Sequence, residues 1–322
     1  MKKSFSLMFL LLLSSLALWG CRKKEQPVIG IAEQYGIAYA PLNIMKEKGI
    51  LEKKLPGVTI SWQQFGGPTA IRESMMNGEV DFGFMGIAPV LIGIDNGMEW
   101  KYATGISSNQ VAVVTRSPDI KSLADFTEQD RIAILSPGCT QHVLLCMLAD
   151  QQLGDPMALD SQLVSMSHPD ALQALLSDTE ITAHVATPPY IQQEVEAGMS
   201  VMATGEEIMG MPFTFISGVA MTDFYEEHRD WYDAFIEALD ESIDYINDNM
   251  EECVQILAPV YGISEEALME QMTYNGTIYS NRLEGIPQLS AAMEKMGLTK
   301  GNPDFDTIIF DNVNKGNLSD NP

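Results

Sequence analysis

The chain has 322 residues, is 46% hydrophobic and contains 4 cysteines, so a core large enough for two domains must stabilise it rather than a disulfide framework. Its formal net charge of −25 makes it a poor candidate for binding nucleic acid or for docking electrostatically on anionic lipid. We attribute this charge to exposed acidic helices that keep the protein soluble, and it does not identify a ligand.

The N-terminus has the pattern of a secretory signal. The apolar run from Phe5 to Leu18 follows two lysines and is too short for an ordinary membrane-spanning helix. Residues 18–21, LWGC, resemble the lipobox of bacterial lipoproteins, in which the cysteine becomes the first mature residue and carries acyl chains such as palmitate. We therefore predict a signal peptide over 1–20, lipidation at Cys21 and a polar tether over 21–26. A plain cleaved signal with an incidental cysteine is the alternative.

Strands alternate with helices over the next seventy residues. The predicted strands are 27–32, 58–65 and 80–85, and the predicted helices are 39–48, 68–77 and 88–96. Each of these helices is followed by a glycine, at Gly49, Gly78 and Gly97, which is typical of a helix C-terminus. This β-α-β-α order predicts an α/β protein with a mostly parallel sheet and helices on both of its faces.

A second α/β series begins near residue 110. Extended runs are predicted at 111–117 and 213–221, strands at 131–135, 162–166, 181–186 and 200–204, and helices at 139–153, 169–176 and 188–197. From Asp223 onward the chain is nearly all helical, and one apolar stripe reads as core packing: Trp231, Phe235, Leu239, Ile243 and Ile246.

Two extended crossings, near 110–116 and 213–219, are expected to join two lobes with a cleft between them. We predict that the first lobe comprises residues 27–112 and 217–322 and that the second comprises 113–216.

Ligands of open α/β sheets bind at the carboxyl ends of the strands, where loops lead into helices. Five such loops are predicted: 33–36, 66–69, 86–89, 136–141 and 187–190. Two of them, around Thr69 and Thr140, place a glycine and a hydroxyl residue where a helix begins. Free backbone N–H groups and the positive end of the helix dipole can hold an anionic oxygen there. The five loops contain no Lys or Arg, which disfavours a multiply charged phosphate ligand.

The predicted ligand-binding residues follow from these loops. They are Gln34, Tyr35, Gly67, Thr69, Gly86, Ala88, Cys139, Thr140, Gln141, Thr187 and Tyr190. Tyr35 and Tyr190, one from each lobe, could sandwich a planar ring on closure, and Phe213 is a weaker candidate for the same role. Trp62 lies inside a predicted strand and is expected in the core.

The stretch SPGCTQHVLL, residues 136–145, allows four interpretations. Cys139 and His142 could form a nucleophile pair, because a cysteine at a helix start can have a lowered pKa. A metal site is disfavoured because the histidines lack short ligand spacing. The helix start could instead offer N–H groups and small side chains to a ligand, which is the interpretation we favour. The fourth possibility is that His142 only packs against the sheet.

The stretch KEKGILEKKLPGVTISWQQFGGPTAIRESMMNGEVDFGFMGIAPVL, residues 46–91, carries a resemblance that SPGCTQHVLL extends. Together they resemble the periplasmic substrate-binding proteins of ABC importers of the nitrate, sulfonate, taurine and thiamine-pyrimidine class. The resemblance covers about residues 27–300. It implies a two-lobed periplasmic-binding-protein fold of type II with two crossover hinge segments.

The resemblance also implies a function without a reaction, a cofactor or a metal. The expected protein is a monomer that is lipid-anchored on the extracytoplasmic side of the cell envelope, captures a small solute and delivers it to an ABC permease with its ATPase. Sulfonate, taurine, nitrate, pyrimidine and flavin-like solutes all stay open. An enzyme on the same scaffold, such as a lyase or a pyrimidine synthase, and a sensor lipoprotein are the alternatives.

Overall fold

A computed structural model describes residues 27–177, 181–274 and 276–315. The predicted signal peptide, the lipidation site Cys21 and the tether lie outside these residues, as do the last residues of the first predicted lobe. Within the described part of the chain, none of the helices combines the length and apolar character that a bilayer span requires.

Strands and helices alternate through most of the described chain. The strands are β1 (Val28–Gln34), β2 (Thr59–Phe65), β3 (Phe82–Gly86), β4 (Trp100–Ser108), β5 (Ala112–Thr115), β6 (Ile132–Ile134), β7 (Leu163–Ser165), β8 (Ala183–Ala186), β9 (Ser200–Thr204), β10 (Ile216–Met221) and β11 (Ile278–Tyr279). The helices are α1 (Ala40–Lys48), α2 (Ile50–Lys54), α3 (Pro68–Met76), α4 (Ile87–Asp95), α5 (Thr140–Leu153), α6 (His168–Leu176), α7 (Tyr190–Glu196), α8 (Gly205–Met209), α9 (Thr222–Glu227), α10 (Arg229–Asp248), α11 (Met250–Tyr261), α12 (Glu265–Met272) and α13 (Ile286–Lys295).

The strands form two sheets, which we use to name the two lobes. The first lobe is built on the six-stranded sheet with the order β11-β4-β10-β3-β1-β2, and the second on the five-stranded sheet with the order β7-β6-β8-β5-β9. Ala112 pairs within the second sheet, and Ile216 pairs within the first. The exact domain boundaries stay a prediction.

The α/β class predicted from the sequence is confirmed, but the sheets are mixed where mostly parallel sheets were expected. β1 pairs in parallel with β2 and β3, whereas β10 runs antiparallel between β3 and β4. The register explains the difference, because Ile216 at the start of β10 lies beside Gly86 at the end of β3. The chain therefore returns to the first sheet as β10, which starts at the end of the sheet where β1 and β3 finish.

The segments that pass between the lobes lie side by side. The N–H of Phe215 donates to the carbonyl of Ser107 at 2.9 Å, and the N–H of Gly205 donates to the carbonyl of Val111 at 2.6 Å. The first bond continues the pairing of β10 with β4, and the second continues the pairing of β5 with β9, so the two links lie next to each other at both of their ends.

The core of the first lobe packs α10 against the sheet. The rings of Phe82 on β3 and Phe235 on α10 stack with their centroids 3.9 Å apart. Leu239, Ile243 and Ile246 continue the buried side of α10, as the apolar stripe in the sequence predicts. This packing fixes β3, whose C-terminal residue Gly86 lies in the cleft.

Candidate functional site

The carboxyl ends of the central strands of both sheets meet at the cleft between the lobes. Two cavities lie there, and Tyr35, the residue that follows β1, lines both of them. The outer cavity has a volume of about 510 Å³ and the inner cavity one of about 20 Å³. A cavity of the smaller size accommodates one water molecule or one small ligand group.

The outer cavity is lined by both lobes and combines aromatic rings with amides. Its aromatic side chains are Tyr35, Trp62, Tyr190 and Tyr261, and its amides are Asn43, Gln63, Gln64, Gln173, Gln193 and Gln271. Among the described residues that line it, Lys46 is the one cation and Glu33 the one carboxylic acid. Trp62 is half-buried: it packs against the hydrophobic core, as expected, and it also lines this cavity.

Glu33 is a buried acid at the wall of the outer cavity. Burial raises its pKa to about 7, although the charge of Lys46 and the amide of Asn43, which donates to its Oε2 at 2.9 Å, both lower it. A carboxyl group with such a pKa is present in both protonation states near neutral pH. It can donate a hydrogen bond to a solute or accept one.

Tyr35 and Tyr190 come from opposite lobes and both face the outer cavity. Burial raises the pKa of Tyr190 to about 12, and the nearby Tyr35 contributes to this shift. The ring of Tyr190 is also stacked on His168, with a centroid distance of 5.2 Å and an interplanar angle of 22°. Tyr190 is thus held rigidly in the second lobe, whereas Tyr35 is 41% exposed.

The inner cavity gathers seven of the predicted ligand-binding residues. They are Gln34, Tyr35, Gly86, Cys139, Thr140, Gln141 and Thr187. With Tyr190 in the outer cavity, eight of the eleven predicted residues line one cavity or the other. A role of any of them in binding a ligand stays a prediction.

Thr140 closes the inner cavity by joining the lobes directly. Its Oγ1 accepts a hydrogen bond from the N–H of Ala88 at 3.2 Å, so a residue of α5 caps the first turn of α4. Thr140 is fully buried, and a Cβ atom on Gly86 would lie 2.2 Å from its Oγ1. The Thr140 hydroxyl, which is predicted from the sequence to bind a solute oxygen, therefore accepts a backbone N–H at the N-terminus of a helix in the other lobe.

The remaining three predicted residues line neither cavity. Ala88 is buried and contributes the N–H that Thr140 accepts. Gly67 lies near Leu135 of the second lobe, and the exposed hydroxyl of Thr69 donates to Oγ of Ser136 at 3.5 Å. Both therefore lie at contacts between the lobes, and a direct contact between either residue and a solute stays a prediction.

The nucleophile interpretation of Cys139 does not agree with the geometry. Cys139 is buried, and its Sγ accepts the backbone N–H of His142 at 3.3 Å, as the N-cap of α5. Burial raises the pKa of the thiol, so it is not an activated thiolate. The imidazole of His142 faces other groups, since its Nδ1 accepts the N–H of Gly138 at 2.9 Å.

The ligating atoms of one group, His142, Cys146 and Asp160, all lie within 4.8 Å of one another. Because Nδ1 of His142 accepts an N–H, the proton of the neutral ring is on Nε2, which is the nitrogen that faces Asp160 and Cys146. A metal would have to displace that proton. Burial raises the pKa of the Cys146 thiol to about 12, and we assign no metal here.

A buried chain of three titratable side chains, which the loops do not predict, leads from the second lobe to the inner cavity. Oε1 of Glu194 lies 2.6 Å from Nδ1 of His184, and Nε2 of His184 lies 2.8 Å from Nδ1 of His168. Nε2 of His168 then faces the side chains of Gln141 at 3.1 Å and Thr187 at 3.4 Å. His168 itself lines the inner cavity.

The chain belongs to the NMT1-like family, whose profile matches residues 23–258. A comparison with curated proteins gave no match. Its fold is that of the periplasmic binding proteins, as solved structures show.

The periplasmic aliphatic sulphonate binding protein SsuA of Escherichia coli is 20% identical, with a TM-score of 0.67 over 89% of this chain and 98% of that one. The alkanesulfonate-binding protein SsuA of Xanthomonas axonopodis pv. citri, solved with MOPS, is 16% identical, with a TM-score of 0.73 over 88% and 98%. The nitrate-binding protein NrtA of Synechocystis PCC 6803 is 15% identical, with a TM-score of 0.71 over 90% and 86%.

Proposed function

We propose that this chain is an extracytoplasmic solute-binding lipoprotein that captures a small solute between its lobes and delivers it to an ABC permease. The observation that carries the proposal is the outer cavity of about 510 Å³, which is lined by side chains of both lobes. Binding sites for small molecules have such volumes and combine aromatic walls with a few polar groups. Membership of the NMT1-like family and the fold shared with sulfonate- and nitrate-binding proteins support it.

Simple binding, rather than catalysis, fits the chemistry of the cleft. The thiol of Cys139 is protonated and serves as a helix cap, and its imidazole neighbour points elsewhere. The proposed protein therefore closes on its solute and releases it unchanged.

The cavity lining favours a planar, polar solute over a simple anion. The negative charge of a sulfonate or nitrate needs a positive charge to balance it, whereas the outer cavity offers Lys46 alone among its described cations and adds the acid Glu33. Four aromatic rings and six amides suit a nitrogen heterocycle, which stacks on rings and exchanges hydrogen bonds with amides. Of the solute classes left open by the sequence, we therefore favour the pyrimidine-like one.

A stability screen tests this function. Unfolding temperatures should be measured with cytosine, 4-amino-5-hydroxymethyl-2-methylpyrimidine, taurine, methanesulfonate and nitrate, because a compound that binds only the folded state raises its stability. We expect one of the two pyrimidines to raise the unfolding temperature more than the three anions do. A rise with taurine or methanesulfonate alone would overturn the preference for a ring while leaving solute binding in place.

The aromatic wall can be tested on the compound that stabilises most. Tyr35→Ala removes an exposed ring from the cavity and should weaken binding by about 1–2 kcal/mol, or roughly five- to thirtyfold in Kd, because stacking and area burial are lost together. Calorimetry measures this difference. Tyr274→Ala, which removes a tyrosine that lines neither cavity, is the matched control and should leave Kd unchanged. Equal effects of the two substitutions would contradict the assignment of the cavity.

The proposed lipid anchor has its own test. Cys21→Ser removes the thiol that would be acylated and should move the protein from the membrane fraction to the soluble fraction, because two or more acyl chains are needed for stable anchoring. Incorporation of labelled palmitate into the unsubstituted protein should be lost as well. If the variant stays with the membrane and the unsubstituted protein takes up no label, the lipoprotein assignment is wrong.

A further inference from the structure

We propose that Glu194, His184 and His168 form a proton relay that determines whether the inner cavity presents a hydrogen-bond donor or an acceptor to the group inserted there. The relay would thereby discriminate between solutes by whether that group donates or accepts a hydrogen bond. That the inserted group belongs to a captured solute rests on the proposed function. Its free end is Nε2 of His168.

The three side chains are shut off from solvent except at this end. Glu194 and His184 are at most 1% exposed and His168 is 3% exposed. Oε2 of Glu194 is buried without a hydrogen-bond partner, which is costly for a carboxylate and favours the protonated acid. Burial raises the pKa of Glu194 to about 8 and lowers the pKa of both histidines, so neutral side chains are favoured.

Two arrangements of protons fit the same heavy-atom distances. In the neutral arrangement the Glu194 acid donates to Nδ1 of His184, Nε2–H of His184 donates to Nδ1 of His168, and His168 presents Nε2–H to the cavity. When Nε2 of His168 loses that proton, the other two protons each move one step toward it. Glu194 becomes the carboxylate, both rings carry their proton on Nδ1, and Nε2 of His168 becomes an acceptor.

The surroundings of the free end tolerate both arrangements. The amide of Gln141 can turn to donate or to accept, and the hydroxyl of Thr187 can rotate to do either. The buried carboxyl of Glu194 therefore releases its proton to the cleft through His184 and His168. The release of one proton changes Nε2 of His168 from a hydrogen-bond donor to an acceptor.

Charged groups on the elements packed around the relay lie apart from it. On α6 and α7 these are Asp170 and Glu196, both exposed, and beside the strands they are the half-buried Arg116 and Arg131. On α5, His142 and Cys146 approach Asp160 rather than the relay. Tyr190, the ring stacked on His168, has a pKa raised to about 12 and stays protonated.

Nuclear magnetic resonance of the protein labelled with ¹⁵N at its histidines tests the relay without any solute, so the result does not depend on the proposed function. The shifts of Nδ1 and Nε2 distinguish the two neutral tautomers from imidazolium. Above pH 6 we expect His168 and His184 to stay neutral and to exchange tautomers together, in one transition near the pKa of about 8 for Glu194. Signals are assigned with His168→Gln.

Glu194→Gln should abolish the transition, because the amide has no proton to release, while Glu196→Gln on the same helix should leave it unchanged. Should Glu194→Gln fail to fold, the titration of the unsubstituted protein decides alone. Separate midpoints with conversion to imidazolium, or a transition that persists in Glu194→Gln, would overturn the relay.

Discussion

Replacing Gly86 by alanine should hold the cleft open and weaken solute binding about thirtyfold or more. The new Cβ would lie 2.2 Å from Oγ1 and 3.0 Å from Cβ of Thr140, across the contact that joins the lobes. Overpacking of this kind costs about 1–3 kcal/mol, and loss of the bond from the Ala88 N–H adds about 1–3 kcal/mol. Together these amount to about 2–6 kcal/mol, which corresponds to a factor of about thirty or more in Kd.

The measurements are calorimetry and small-angle scattering with the compound that the stability screen selects. The unsubstituted protein should contract on saturation, and Gly86→Ala should bind weakly and contract little. Gly66→Ala is the matched control, because its Cβ would lie 3.9 Å from Cβ of Ser167 in the second lobe, an ordinary contact. Adding Thr140→Ala to Gly86→Ala removes the closer clash and should restore part of the affinity. An unaltered Kd in Gly86→Ala would show that this contact is absent from the loaded form.

The protein should lose stability as the pH rises from about 6.5 to about 8, by about 1–2 kcal/mol from Glu194 alone. The folded-state pKa of about 8 lies above the unfolded value of 4.5, so across this window the folded state keeps a proton that the unfolded state has released. Each pH unit costs about 1.4 kcal/mol well below the folded pKa and about half as much at that pKa, where half of the folded molecules have released the proton. Glu33, with a pKa of about 7, adds a smaller loss in the same direction.

The buried histidines act in the opposite sense around and below pH 6.5, their unfolded pKa, and so offset part of this loss at the lower end of the window. Their pKa values are lowered on folding, so the unfolded state binds their protons and stability falls on acidification. Urea unfolding at pH 6.5 and pH 8 measures the difference. Glu194→Gln should remove most of the slope, and the exposed Glu196→Gln should keep it. A slope that is equal in all three proteins would mean that Glu194 ionises normally.

The sequence predicts most of the fold because strands and helices alternate and glycines mark the ends of the helices. The sequence does not predict β4, Trp100–Ser108, because Thr104 and Gly105 interrupt the short apolar alternation that Trp100 and Tyr102 begin. The sequence predicts its partner β10 only as part of an extended run, because its antiparallel place between β3 and β4 depends on contacts between residues more than a hundred positions apart. Local patterns therefore predict the elements but not the mixed order of the sheets.

The loops predict much of the cleft, because a residue that follows a central strand lies at the carboxyl end of the sheet, where the cleft is. Side chains within helices and strands are not predicted by loop position. Lys46 and Gln271 lie on helices, and Trp62 lies within β2, yet all three face the outer cavity. The relay unites residues from α6, β8 and α7, and its one local signal is a histidine in the buried strand AHVA.

The paired links between the lobes limit how the cleft can open. Two chain segments that are held next to each other at their ends, by the bonds from Phe215 to Ser107 and from Gly205 to Val111, bend together more easily than they twist or shear. We therefore expect the lobes to rotate about one hinge axis. Any solute that allows Thr140 to contact the first turn of α4 then also fixes the distance between the outer surfaces of the two lobes. A permease could then recognise occupancy from the outside, without contacting the solute.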